Sequence, residues 1–264
     1  ADKLGKPYQM NHQSLAFDDK QFKAFSQNAA IAQLHEFYIL GLNLEARQQA
    51  YHLKQRRDKT ELEMLAKLTH QWGWHNQTIA LLGKAKSWND LSLRFPVVYE
   101  EHFVKASKST KFDPSLLLGI ARQESAFAPK ARSAVGARGL MQLMPKTARA
   151  IAKTIKAPVK KLSELHIPSR NIQLGSAYLR QVYYQHQNDT ILATASYNAG
   201  PHRVDRWLPK NTLPADIWIE NIPFNETRKY TANVIAYAAI FDHQRQQKIT
   251  RLSQRMPAVK PKKD

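Results

Sequence analysis

Cysteine is absent from the 264-residue sequence, which excludes disulfides, thiolate metal sites and a cysteine nucleophile. Glycine and proline, at 9 and 13 residues, are too few for a low-complexity or collagen-like chain. No apolar run approaches the ~18 residues that a membrane-crossing helix needs, so no integral membrane segment is expected. Strand-like alternation of apolar and polar residues is also missing. The chain opens at Ala1 without an initiator Met or an apolar signal region, which reads as a mature or truncated product from which any export signal has already gone. A more local absence stands out. From Ser125 to Ser163 there is no Asp or Glu, although Lys and Arg recur throughout that stretch.

What is present is basic and helical in pattern. Hydrophobic residues make up 43% of the chain, enough for sizeable cores, and the formal net charge is +19. Residues 1–94 carry +4 of it; residues 95–264, with 27 Lys and Arg against 12 Asp and Glu, carry +15. Such a surface favours a polyanionic partner: nucleic acid, an anionic membrane or an acidic cell-wall polymer. No helix-turn-helix or RRM-type signature accompanies the charge, so nucleic acid is not the expected partner. The 10 histidines are dispersed, without H-E-x-x-H spacing, and no EF-hand loop occurs. Neither a metal nor a cofactor is expected.

Apolar residues recur at spacings of three and four in 21–41, 42–55 and 59–74, where Leu62, Leu65 and Leu68 line up with Trp72. A further short helix, "HNQTIALLGKA", is expected to stop near Gly83. Pro96 interrupts the chain, and beyond it Asp113 and Pro114 form an N-cap and first-turn signal. Two more helices follow in "HIPSRNIQLGSAYLRQVYYQHQ" and "NDTILATASYNAGP", the second stopped at Gly200–Pro201. A long last helix spans 225–246. The pattern predicts an all-α protein with a helical domain over 1–94, a second domain over 95–255 and a short, basic, unfolded tail over 256–264.

Within the helix that starts at Pro114, Leu117, Ile120 and Ala121 fall on one stripe, and Glu124 continues it at i+7. A carboxyl on a core-facing stripe at a helix end has two readings. Burial raises its pKa and makes it a general acid, or it forms a structural pair with Arg122, Arg132 or Arg138. Downstream, Gly136 and Gly139 allow a tight loop that approaches a ligand closely. Gln142 offers an amide and Met144 an adaptable apolar wall. Tyr197 and Asn198 sit at the end of a helix. Turn glycine, core methionine and packing tyrosine are the plain structural alternatives for these positions.

The blocks "ARQESAFAPKARSAVGARGLMQLMPKTA", "SYNAGPHRVDRWL" and "IPFNETRKYTANVIAY" resemble the soluble lytic murein transglycosylases, over about residues 92–245. Ser196 stands where Ala is common in that family and Phe127 where Trp is common. Residues 30–94 are similar to the helical linker domain that precedes catalysis in its longer members. The resemblance implies a goose-type, lysozyme-like catalytic domain, periplasmic localisation and peptidoglycan glycan strands as partner. It implies cleavage of the β-1,4 bond between N-acetylmuramic acid and N-acetylglucosamine to 1,6-anhydromuramyl products, with Glu124 as acid and then base. Ser133, Gln142, Met144, Tyr197, Asn198, Glu226 and Tyr230 match substrate-contacting positions, Tyr197 being the tyrosine beside the acid. The competing readings are a hydrolytic muramidase of the same fold and a non-catalytic wall-binding scaffold.

Overall fold

The computed structural model describes residues 1–2 and 4–261. Among these residues the regular structure is helical, with isolated bridges and no strand. The chain divides into two compact units. One is Met10–Pro96, and the other joins Ala1–Gln9 to the chain from Val97 onward.

The first unit holds α1 (Asp19–Ser26), α2 (Ala29–Ile39), α3 (Asn43–Arg56), α4 (Lys59–Gln71), α5 (His75–Lys84) and the single turn α6 (Leu91–Arg94). The periodic segment 21–41 is two helices, because the Asn28 side chain accepts from the Ala30 N–H at 3.0 Å and caps a new start. Helix α4 opens on a capping box in which Asp58 accepts from the Glu61 N–H at 2.9 Å. Its expected stripe is the core: Leu62, Leu65 and Leu68 are buried with Leu34, Leu81 and Leu82. Trp72 closes that core by stacking on His35, centroids 4.4 Å apart. Helix α5 stops near Gly83, as its sequence suggests. It runs to Lys84, and the left-handed turn falls on Lys86 at φ 55°.

The second unit holds α7 (Glu100–Thr110), α8 (Pro114–Ser125), α9 (Pro145–Thr154), a 3-10 turn at Leu162–His166, α10 (Pro168–Gln185), α11 (Thr190–Ala199), α12 (Pro201–Asp205), α13 (Ala215–Glu220), α14 (Asn225–Gln244) and α15 (Leu252–Arg255). Helix α8 begins as its sequence dictates, with Asp113 accepting from the Ser115 N–H at 2.9 Å and Pro114 at the first position. Every residue from Ser115 to Arg122 is buried, so α8 is the central helix of this unit. It packs along α14, and Gly119 sets how closely. A Cβ at Gly119 would lie 2.9 Å from the Val234 carbonyl oxygen and 3.4 Å from the Ala238 nitrogen. Helix α10 packs on α7, α9 and α11, and α11 stops at Gly200, φ 86°, ahead of Pro201.

Both chain ends depart from expectation. The first nine residues pack with this unit: Arg251 donates to Asp2 Oδ1 at 3.0 Å, and the Tyr8 hydroxyl accepts from the Leu252 N–H at 2.8 Å. In the tail, Val259 exchanges both backbone hydrogen bonds with Leu213, at 2.8 and 3.0 Å, and is fully buried. Pairing and burial together offset the cost of ordering, so this part is not an unfolded extension. The tail residues 262–264 lie outside the described residues.

Gly119→Ala adds a methyl against backbone atoms that cannot rotate away, so α8 and α14 must separate. A destabilisation of ~1–3 kcal/mol is expected, read in thermal melts as a fall in Tm of roughly 2–4 °C per kcal/mol.

Candidate active site

Helix α8 ends abruptly at the residue that matters. Ala126 (φ 50°) and Phe127 (φ 66°) are both left-handed, and the Ala126 N–H closes back on the Arg122 carbonyl at 3.2 Å. Phe127 then turns into the core and meets Phe241 edge to face, centroids 6.0 Å apart. Glu124 is therefore held on the last turn of a rigid, buried helix. Part of its surface stays open, while protein atoms crowd its remaining sides.

Residues 128–144 fold back over this turn without forming a sheet. Ser133 fastens the outer bend, accepting from the Ala137 N–H through Oγ and donating its own N–H to the Ala137 carbonyl, each at 3.0 Å. Ser125 Oγ donates to the Leu140 carbonyl at 2.8 Å and ties the loop to the end of α8. The strongest anchor is Asn171, fully buried on α10. Its Oδ1 accepts from the Met141 N–H at 2.7 Å, and its Nδ2 donates to the carbonyls of Arg138 at 2.9 Å and Leu165 at 2.8 Å. This explains Gly139, at φ 80°. A Cβ there would lie 2.0 Å from the Leu165 oxygen and 2.2 Å from Asn171 Nδ2. The close approach anticipated at Gly139 is thus to protein, not to a ligand.

Gln142, left-handed at φ 44°, spends one donor within its own turn, Nε2 to the Gly139 carbonyl at 2.9 Å. Met144 is 41% exposed at the entry to α9, so its thioether is free to form an apolar wall. Tyr197 and Tyr230 both lie near enough to Glu124 to feel its charge, and they make different hydrogen bonds. The Tyr197 hydroxyl donates to the Met141 carbonyl at 2.9 Å, and its ring packs on Tyr178 with centroids 5.2 Å apart. The group on the acid is Tyr230 of α14, whose hydroxyl donates to Glu124 Oε1 at 2.8 Å. Arg122, weighed above as an ion-pair partner, has its guanidinium over the ring of Tyr237, 5.4 Å from the centroid.

Asn198 and Glu226 form a second polar group. Asn198 Nδ2 donates to Glu226 Oε1 at 3.2 Å, and Asn198 Oδ1 accepts from the Thr227 hydroxyl at 2.7 Å. Glu226 is exposed in the first turn of α14, a place the helix dipole favours for an acid. Its charge reaches Glu124. Burial pushes the Glu124 carboxyl from 4.5 up to about 8; the Tyr230 hydrogen bond opposes this, and the Glu226 charge adds to it. At neutral pH Glu124 holds a proton beside an opening to solvent.

Asn171 and Tyr178 were absent from the sequence reading. With Gly175 they fall at i, i+4 and i+7, one face of α10. That face bears on the loop: a Cβ at Gly175 would meet Met141 Sδ at 2.6 Å and the Tyr197 hydroxyl at 3.0 Å. A small residue between two polar ones on a buried stripe was the available signal.

Tyr230→Phe removes the one hydrogen bond that favours the Glu124 carboxylate. The Glu124 pKa should rise further, by up to about one unit. Carboxyl-carbon NMR titration of the labelled protein reads this directly, and an unchanged titration would exclude the contact.

The family description "Transglycosylase SLT domain" matches residues 101–217, and "Soluble lytic murein transglycosylase L domain" matches residues 24–91. "Soluble lytic transglycosylase helical domain" matches residues 221–249. The soluble lytic murein transglycosylase of Salmonella typhimurium is 38% identical over 223 residues, covering 83% of this chain and 35% of its own length. The chain thus spans about a third of that relative. The X-ray structure of an inactive Glu-to-Gln variant of lytic transglycosylase Slt from Pseudomonas aeruginosa superposes with a TM-score of 0.91 at 37% identity, covering 97% of this chain and 42% of that one. The 70 kDa soluble lytic transglycosylase of Escherichia coli superposes with a TM-score of 0.84 at 33% identity, covering 97% of this chain and 41% of that one. With a lysozyme-like helical fold, a partly buried acid at the end of α8 and these matches over most of its length, the chain belongs to the soluble lytic murein transglycosylase family.

Proposed function

We propose that this chain cleaves the β-1,4 bond between N-acetylmuramic acid and N-acetylglucosamine in peptidoglycan, without water, and that it acts in the periplasm. The observation that carries the reading is a single protonated carboxyl, Glu124, at a partly closed site where its direct hydrogen-bond partner is the neutral phenol of Tyr230. Its proton passes to the glycosidic oxygen as the C1–O bond breaks, and the departing sugar leaves as an alcohol. The positive charge that develops at C1 is met by the 2-acetamido oxygen of the same sugar. The C6 hydroxyl of the muramyl residue then attacks C1, and the Glu124 carboxylate takes its proton. The result is a 1,6-anhydro ring and a regenerated acid.

One carboxyl suffices because the nucleophile is tethered to the reacting sugar. Intramolecular attack of this kind has an effective molarity of ~10⁵ M or more in favourable systems. A hydrolase would need a second carboxylate, about 6.5–9.5 Å away to activate water or about 5–5.5 Å away to act as nucleophile. Glu226 is the candidate, but it is exposed and accepts from Asn198. Ser133, Gln142 and Met144 would line the glycan groove, with Asn198 and Glu226 at its polar rim. Tyr230 would keep the Glu124 proton labile rather than locked, while Tyr197 holds the Met141 backbone beneath it.

Glu124→Gln keeps the shape of the acid and loses its proton, so turnover should fall at least ~10²–10⁴-fold with the fold intact. Wild-type turnover should also decline as pH rises through about 8, where the acid ionises. Stability carries the same signature. The folded pKa lies above the unfolded one, so the contribution of this group is complete below pH 4.5 and lost on rising through about 8. Glu124→Gln should abolish that decline. A folded variant with near-normal turnover would exclude the assignment.

Glu226→Gln separates the two chemistries. Removing its charge lowers the Glu124 pKa, so the alkaline limb of the rate profile should move to lower pH. Mass spectrometry of digested sacculi should still find anhydro ends, with weaker substrate binding as the main loss. Turnover lost as completely as in Glu124→Gln would instead require a paired-carboxylate mechanism.

A further inference from the structure

The acid-free stretch does more than isolate Glu124. Helix α9 lies inside it, and its two faces differ sharply. Ala148, Ile151 and Ala152 are buried, while Lys146, Arg149 and Lys153 are exposed, as is Lys156 just past the helix end. Positions 146, 149 and 153 are spaced at i, i+3 and i+7, so the cations form one ridge. Among the described residues none of these four has a carboxylate within ion-pair distance; Glu164, the first acid after the stretch, pairs with Arg170 at 3.8 Å.

Helix stability explains only part of the ridge: Lys153 in the last turn and Lys156 just past it suit the helix dipole, but the rest does not. Like charges at i and i+4, as in Arg149 and Lys153, destabilise a helix, and a cation in the first turn, as in Lys146, opposes the helix dipole. The sequence accepts both costs and supplies no acidic partner. The ridge is also concave where its charge is densest: Arg149, Lys153 and Lys156 surround a cavity of about 330 Å³ whose floor is Ala152, Pro158 and Val159. Helix α9 starts directly after Gln142 and Met144, so the ridge leads away from the loop that covers Glu124.

We propose that this face of α9 is a docking surface for the free carboxylates on the peptide stems of peptidoglycan, outside the cleft that holds the scissile bond. The proposal rests on the function given above and adds a second contact with the same polymer. Two features of the ridge select this occupant among polyanions. The apolar face of α9 is buried in the protein, so nothing is left to insert into a bilayer. The exposed face carries no aromatic side chain on which nucleic-acid bases could stack. A solvated chain of spaced carboxylates needs neither. Docking here would keep the protein on the wall between cuts and present neighbouring strands to the cleft.

The test is co-sedimentation with intact sacculi in a Glu124→Gln background, where binding is read without cutting. The variant Arg149→Gln/Lys153→Gln/Lys156→Gln should bind about tenfold more weakly at low salt, as expected for three solvent-exposed charge contacts. That difference should disappear near 1 M salt and on sacculi whose carboxyl groups have been converted to amides. Arg149→Lys, which keeps the charge, should bind as the parent does. With Glu124 restored, the triple variant should turn over short soluble muropeptides at the parental rate, with a Tm within about 2 °C of the parent's, since the like-charge repulsion it relieves and the dipole contact it loses are both small. Equal binding by variant and parent overturns the proposal, as does an equal difference on amidated sacculi. A loss seen on phosphatidylglycerol vesicles or a single-stranded oligonucleotide but not on sacculi overturns it in favour of those partners. Failure of the functional reading looks different: the Glu124→Gln parent would cut the sacculi, whatever the ridge binds.

Discussion

Asn171 has no solvent to fall back on, and it pairs with three backbone groups, of which only the Arg138 carbonyl has a second partner, the Leu143 N–H at 3.0 Å. Its side chain receives the Met141 N–H and gives its own two hydrogens to the Arg138 and Leu165 carbonyls. Buried polar groups left unpaired cost about 1–3 kcal/mol each, so this one amide decides where the chain between Arg138 and Met141 must run. The Tyr197 hydroxyl takes the Met141 carbonyl from the other side. The loop over Glu124 is thereby fixed by groups that never need to touch a ligand. It is irregular backbone with the definition of a secondary-structure element, which an acid at its edge requires if its pKa is to be set by burial.

That burial organises the electrostatics. Glu124 is kept neutral mainly by the protein around it, and its immediate contact is a phenol, not a cation. The absence of acids from Ser125 to Ser163 leaves the nearby surface positive, with its charges turned outward on α9. The two arrangements are compatible because solvent screens exposed charges over roughly a Debye length of 8–10 Å. A basic exterior can face an anionic polymer without stripping the proton from a crowded carboxyl.

Much of this was legible in the chain. The N-cap at Asp113, the stripe Leu117–Ile120–Ala121–Glu124 and the stop at Gly200–Pro201 are local signals, and local physics decides them. The motifs around Glu124 carried the family resemblance as well. What was not legible depends on partners distant in sequence. Tyr230 reaches Glu124 across 106 residues, and no spacing rule distinguishes it from Tyr197, which lies closer along the chain. Gly139 read correctly as a turn, but the atoms that exclude a side chain there belong to Leu165 and Asn171. The tail was misread because one buried valine and two hydrogen bonds to Leu213 are enough to order it.

The pairing of α8 with α14 also has a meaning in time. Translation delivers α8 more than a hundred residues ahead of the helix that covers it, since Gln123 and its partner Asn233 are 110 positions apart. At roughly 5–20 residues per second, the nascent chain waits on the order of ten seconds between the two. Throughout that interval the apolar run Leu116–Leu118 lacks its principal neighbour and Glu124 lacks its phenol. The burial that raises the pKa of this carboxyl is then incomplete. The raised pKa of Glu124 is therefore acquired late, when the last long helix docks, and an incomplete chain is born without it.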